Sequence, residues 1–305
     1  MIKVNWKGVY PAVTTKFNRD GSLDISAFRF NIEKQLEAGV DGIVLGGTLG
    51  ESSVLEPAEK SSLIKATKKV VNGKIPVIMN IAEGSTRVAI NAAQQAKADE
   101  VDGLMLLPPM RYSSDHRETV EYFKSIAAAT DLPIMIYNNP VDYKTEVTLD
   151  MFQELADCPT IKAVKESTRD ISNVTRMINR FGDRFKILSG VDTLALESLC
   201  LGADGWVAGL VCAFPKETVA IYRLMKAGRL PEALSIYRWF LPLLELDINA
   251  KLVQNIKLAE SIEGVGTEWV RAPRLLLYGE ERAHVTQIIE HGIATRPALP
   301  DYMNL

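Results

Sequence analysis

Lys165 is the residue of this chain best equipped to attack a carbonyl carbon. It lies in Ile161-Lys162-Ala163-Val164-Lys165-Glu166-Ser167, a short run that reads as a strand. Ile161, Ala163 and Lys165 share one parity, and Lys162, Val164 and Glu166 the other. An ammonium held among small apolar neighbours is costly to keep charged. Its pKa is expected to fall, and the neutral amine is then a nucleophile. A lysine at a strand end can equally snorkel to solvent, so the residues at the other strand ends decide the matter.

Gly46-Gly47-Thr48-Leu49-Gly50-Glu51-Ser52 follows one apolar run. Its glycines let backbone N–H groups approach an anion and Thr48 adds a hydroxyl, so the loop either suits a carboxylate or is a structural turn. Tyr137-Asn138-Asn139-Pro140 ends another run. A tyrosine there is either a general acid or base, or a core residue with a satisfied hydroxyl. Ser189-Gly190-Val191-Asp192 and Gly205-Trp206-Val207-Ala208-Gly209 end two more, with glycines that allow close approach of ligand or backbone. Asp192 reads as a helix cap in preference to a polar site wall. Arg111, in Pro108-Pro109-Met110-Arg111-Tyr112, meets either an anionic substrate or a surface carboxylate. Together these residues describe a lysine, a tyrosine and a carboxylate cradle converging on one mouth. With only His116, His284 and His291, a histidine-based metal site or triad has little material.

The elements that must position them alternate along the chain. Strands are expected at 8–17, 42–47, 75–81, 103–107, 133–138, 161–167, 185–189 and 205–210. Helices are expected at 25–38, from 56, and at 85–100, 117–129, 148–157, 171–181, 194–201 and 217–227. Pro57 suits a first helical turn and Ser85 a cap. About eight βα units of this size predict an α/β fold, a closed (β/α)8 TIM barrel over residues 1–228. A doubly wound sheet is the rival, but no GxGxxG opens a βα turn. Residues 232–263 and 273–294 continue in helical pattern, interrupted by Gly264-Val265-Gly266. They predict a C-terminal helical appendix, residues 229–305, packed on the barrel or on a neighbouring subunit.

The 305 residues, 47% apolar and 24% charged, suit a large-cored soluble enzyme. A net charge of −3 argues against a nucleic-acid partner or an anionic membrane surface. No apolar run approaches the ~18 residues of a spanning helix, and Met1-Ile2-Lys3-Val4-Asn5 does not open a signal peptide. Cys158, Cys200 and Cys212 are scattered and read as reduced thiols of a cytoplasmic protein.

GGTLGES, YNNP and the lysine of KAVKES resemble the signatures of the N-acetylneuraminate lyase/dihydrodipicolinate synthase superfamily, in order and spacing over residues 9–228. The resemblance implies that Lys165 forms a Schiff base with a 2-oxo acid and that Tyr137 relays the proton. Thr48 and the Leu49 amide would hold the carboxylate. It also implies a homotetramer, a dimer of dimers, with no metal or organic cofactor. Lys165, Tyr137 and Thr48 are thus the candidate catalytic residues. Gly47, Leu49, Asn139, Ser167, Gly190, Val207, Arg111 and Asp142 are the candidate substrate-binding positions.

The departures bear on substrate. Dihydrodipicolinate synthases carry two threonines where this chain has Thr48-Leu49, and a tyrosine pair where it has Met110-Arg111. The second of those tyrosines reaches into a neighbour's site. The arginine that receives a second carboxylate falls at Asp142, so synthase activity is expected to be negligible. LPPMRY, IMIYNNPVDY, GVDTLALESLCLGADGWVAGLV and YRWFLPLLELD look most like proteins of hydroxyproline catabolism. These resemble Δ1-pyrroline-4-hydroxy-2-carboxylate deaminase, which makes 2-oxoglutarate semialdehyde and ammonia. The alternatives are an aldolase or dehydratase of 2-keto-3-deoxy sugar acids, the synthase itself, and a non-catalytic 2-oxo acid sensor. Retention of both Lys165 and Tyr137 argues against the sensor.

Overall fold

Short apolar runs that are buried along nearly their whole length become parallel strands, because helices cover one face and packed side chains fill the other. In the computed structural model, which describes residues 2–109 and 112–305, the elements follow the expected alternation. The first half runs β1 (Gly8–Pro11), α1 (Ile25–Glu37), β2 (Ile43–Leu45), α2 (Pro57–Val71), β3 (Val77–Ile81), α3 (Thr86–Ala98), β4 (Gly103–Leu106) and α4 (His116–Ala128). The second half runs β5 (Ile134–Asn138), α5 (Pro140–Tyr143), α6 (Leu149–Leu155), β6 (Ile161–Glu166), α7 (Ser172–Phe181), β7 (Lys186–Ser189), α8 (Ala195–Cys200), β8 (Gly205–Ala208) and α9 (Pro215–Lys226). Neighbouring strands pair in parallel from β2 to β8, and β8 pairs with β1. A parallel bridge between Ala12 and Val44 brings β1 to β2, completing a (β/α)8 barrel.

Local chemistry sets the helix starts. Pro57 opens α2 behind a capping box of Glu56 and Glu59. Ser85, Asp115 and Thr148 each accept an amide of the following first turn. No helix among the described residues is long and apolar enough to cross a membrane.

Several boundaries differ from expectation, each for a local reason. β1 ends at Pro11 because the backbone beyond it passes from β8 to β2: Ala12 N still donates to Ala208 O at 2.9 Å, but Val13 N donates to Val44 O at 3.0 Å. β8 stops at Ala208 because the Gly209 and Leu210 amides donate to the Asp192 carboxylate instead. The register of β5 against β6 shifts between Ile161 and Ala163, leaving Lys162 exposed. The expected helix over 232–263 is two helices, α10 (Leu230–Leu244) and α11 (Leu252–Ile262), joined by the 3-10 turn Glu245–Ile248. Pro242 removes an intrahelical hydrogen bond just before that break. α12 (Gly279–Ala294) begins six residues later than the expected 273.

The helices after α9 pack on the barrel of the same chain. Phe240 of α10 meets Phe214 edge-on at 5.7 Å, and the Tyr237 hydroxyl donates to the Asp192 carbonyl at 3.0 Å. α11 is tied in by two ion pairs with fully buried side chains, Lys257–Glu51 at 2.7 Å and Lys16–Glu260 at 2.9 Å. Burying such a pair gains little net stability, whereas removing one partner strands a charge in the core.

Lys257→Met is therefore expected to lower unfolding stability by about 3–5 kcal/mol, the usual cost of breaking a buried pair. Combining it with Glu51→Gln should recover part of the loss. Urea unfolding of the single and double variants measures both, and an unchanged midpoint for the single variant would refute the argument.

Candidate active site

The C-terminal ends of the strands surround one pocket, and β6 delivers Lys165 into it. Parallel pairing sets Lys165 beside Tyr137 on β5, and its Nζ lies 4.1 Å from the centre of the Tyr137 ring. Lys165 is buried, and among the described residues no carboxylate lies within ion-pair distance of it. Burial lowers its pKa, more than the opposing fields of Tyr143, Asp247, Asp192 and Asp142 raise it. The amine is thus biased toward its nucleophilic, neutral form.

The loop after β2 forms the opposite wall. Asn80 Nδ2 donates to Gly46 O at 2.9 Å, and Glu51, left-handed at φ 52°, accepts from Lys257 and the Arg271 amide. These contacts hold Gly47, Thr48 and Leu49 at the pocket. Thr48 Oγ1 and the Tyr143 hydroxyl share a hydrogen bond of 2.5 Å, and Tyr143 stands edge-on to Tyr137 at 5.6 Å. Asn139 Nδ2 donates to the Tyr137 hydroxyl at 3.1 Å and to Asp142 Oδ2 at 2.7 Å. Burial pushes the pKa values of Tyr137 and Tyr143 each up to about 12, so both phenols carry their protons at neutral pH.

The expected site residues Lys165, Tyr137, Thr48, Gly47, Leu49, Asn139, Asp142, Ser167, Gly190 and Val207 all line this pocket. Arg111, with Met110, lies outside the described residues. Asp192 is a cap, but of the turn after β8 and not of its own helix: it takes the Gly209 and Leu210 amides and the Trp206 indole N–H. Gly190 is dictated by space. A Cβ there would sit 2.1 Å from Ser167 Oγ and 2.6 Å from Lys165 Cγ.

Tyr143, Arg169 and Asp247 line the pocket without having been singled out. Tyr143 arrives through α5, where Pro140 fills the first turn and the Asn139 side chain accepts the Asp142 amide. An Asn-Pro pair is a helix-start signal that could have found it. Arg169 sits at a left-handed φ of 64° just past β6. Asp247 lies on the break between α10 and α11, where a continuous helix was expected.

A barrel whose sixth strand carries a buried lysine into a pocket edged by a glycine-rich loop defines a class of enzymes, the lysine Schiff-base lyases. The model of the dihydrodipicolinate synthetase family matches residues 5–292, and the chain belongs to that family. It is 34% identical to the 4-hydroxy-tetrahydrodipicolinate synthase of Leptospira biflexa over 271 residues, 88% of this chain and 91% of the relative. Identity to the Bacillus subtilis synthase is 30% over 290 residues, 94% of this chain and 99% of the relative. The solved synthase of Methylacidiphilum fumariolicum superposes with a TM-score of 0.88 at 29% identity, covering 94% and 97% of the two chains. The chloride-inhibited dihydrodipicolinate synthase of Acinetobacter baumannii, complexed with pyruvate, gives 0.91 at 26% identity, covering 94% and 99%.

Gly190→Ala is expected to fold yet displace the Lys165 stem. Borohydride trapping of a 2-oxo acid on Lys165 should slow by about 10²-fold, the effect of a misplaced reacting group. Trapping at the wild-type rate would mean the lysine tolerates the methyl.

Proposed function

We propose that the protein is a deaminase acting on a cyclic imine of a 2-oxo acid, best represented by Δ1-pyrroline-4-hydroxy-2-carboxylate. The observation that carries this reading is Asp142 on the pocket wall, joined there by Asp247. A second substrate bringing its own carboxylate would face the acidic Asp142 side chain, and like-charge juxtaposition disfavours it there. A monocarboxylate meets no such barrier once its carboxylate rests on Thr48 and the Leu49 amide.

In this reading neutral Lys165 adds to C2 of the imine, and transimination opens the ring. Tyr137, protonated at rest, gives its proton to the departing ring nitrogen, and its phenolate then takes the acidified proton from C3. The 4-hydroxyl is eliminated. A C5 proton and an amine proton then move to C3 and C4, leaving an imine at C5. Hydrolysis at C5 and at C2 consumes two waters and releases ammonia and 2-oxoglutarate semialdehyde. If the Tyr143 hydroxyl donates to Thr48, the threonine proton is left free for the substrate carboxylate.

A second reading, the synthase reaction, is favoured by the names of the relatives and by Arg169, a cation on the same pocket. The dimer-of-dimers assembly is part of the proposal too. One relative of this fold is described as a monomeric variant, so light scattering is the direct readout.

The test is a side-by-side assay. Ammonia and aldehyde release from the cyclic imine should far exceed condensation of pyruvate with aspartate semialdehyde, and Lys165→Arg should abolish both, because an arginine is not deprotonated in proteins. A synthase kcat/KM near ~10⁴ M⁻¹s⁻¹, the low end for enzymes, with no ammonia release, would decide for the second reading. Tyr143→Phe should raise KM by about tenfold with a smaller change in kcat, as expected for losing about 1.5 kcal/mol of hydrogen bonding to a charged group. A fall confined to kcat would put Tyr143 in the proton path instead.

A further inference from the structure

Asp247 has no role in the steps above, yet it is built into the pocket. Its turn, Glu245–Ile248, exists only because α10 and α11 are separate helices. Its carboxylate occupies the space a side chain at 209 would fill: Oδ1 lies 2.2 Å from where a Cβ on Gly209 would stand. Gly209 is itself fixed, its amide donating to Asp192. Among the described residues no protein donor reaches the Asp247 carboxyl within hydrogen-bond distance, although it shares the cavity with Lys165. A carboxyl on the cavity wall with no protein partner is open to a group of the substrate bound beside Lys165. Burial, and then the charge of Asp192, raise its pKa well above the ordinary carboxylate range, which favours the acid form.

We propose that Asp247 is the general acid that protonates the hydroxyl leaving from the carbon β to the Schiff-base carbon. This rests on the elimination reading given above and names the group that completes it. The electron pair of the Lys165-bound enamine moves to form the C3–C4 double bond. The C4–O bond breaks with its pair on oxygen, and the Asp247 proton makes that oxygen water. The iminium is regenerated at C2, and the carboxylate left on Asp247 is reprotonated from solvent. Without the acid, hydroxide would have to leave.

The experiment compares the 4-hydroxy imine with its 4-chloro analogue, whose leaving group needs no proton. Asp247→Asn is expected to lower ammonia release from the hydroxy compound by about 10²–10⁴-fold, the usual contribution of a general acid. Release from the chloro compound should fall by at most several-fold, and Asp247→Glu should restore part of the hydroxy activity. Equal losses on both compounds, or no loss on either, would overturn the assignment. Borohydride trapping of pyruvate on Lys165 in Asp247→Asn reports whether the site still forms. Failure to trap would make Asp247 a residue that shapes the pocket and would equally overturn the proposal. If the wild-type protein releases no ammonia from either compound, the elimination reading itself has failed, an outcome separate from any behaviour of the variants.

Discussion

Two lysine–glutamate pairs without exposure to water join the barrel's first two strand-end loops to one helix far along the chain, across separations of 206 and 244 residues. Neither half of such a pair is tolerable alone in the core. The loops after β1 and β2 and helix α11 must therefore dock together. Because Glu51 lies in the glycine-rich loop, the position of Thr48 depends on Lys257. Because α11 follows the turn that bears Asp247, the same docking carries that carboxyl over the mouth.

Within the mouth the arrangement works by withholding partners. Among the described residues Lys165 has no carboxylate at ion-pair distance, so burial wins and the amine is biased to neutrality. Among the described residues Asp247 likewise has no donor, and burial biases it toward the acid. Tyr137 is held instead by Asn139, which also carries Asp142. The result is a pocket in which an amine biased toward its neutral form, two protonated phenols and acidic side chains coexist without neutralising one another.

The barrel was legible in the sequence because its strands are apolar runs at regular spacing with polar strand ends, and ten expected site residues lie at one pocket for that reason. Lys165 and Gly190 could be read from parity and from the need for close approach. Asp247 could not, since it depends on a break in helical pattern that periodicity smooths over, the turn after Pro242, and Tyr143 was reachable only through the Asn-Pro start of the four-residue α5. Asp192 was readable as a cap, but its partner turn lies across β7 and β8 and belongs to the fold, not to the local sequence. The corrected strand end at Ala208 has the same origin, in a side chain from a distant element that takes over backbone groups.

Gly209 is the feature with the longest reach. The seat of Asp247 is the volume of a single missing carbon. A chain that acquired a methyl group there would keep its barrel, its lysine and its carboxylate cradle, and would still align with its relatives from end to end. It would have to expel this acid from over the lysine. In the reaction proposed for this chain, one carbon beside the eighth strand thus decides whether the leaving hydroxyl meets an acid.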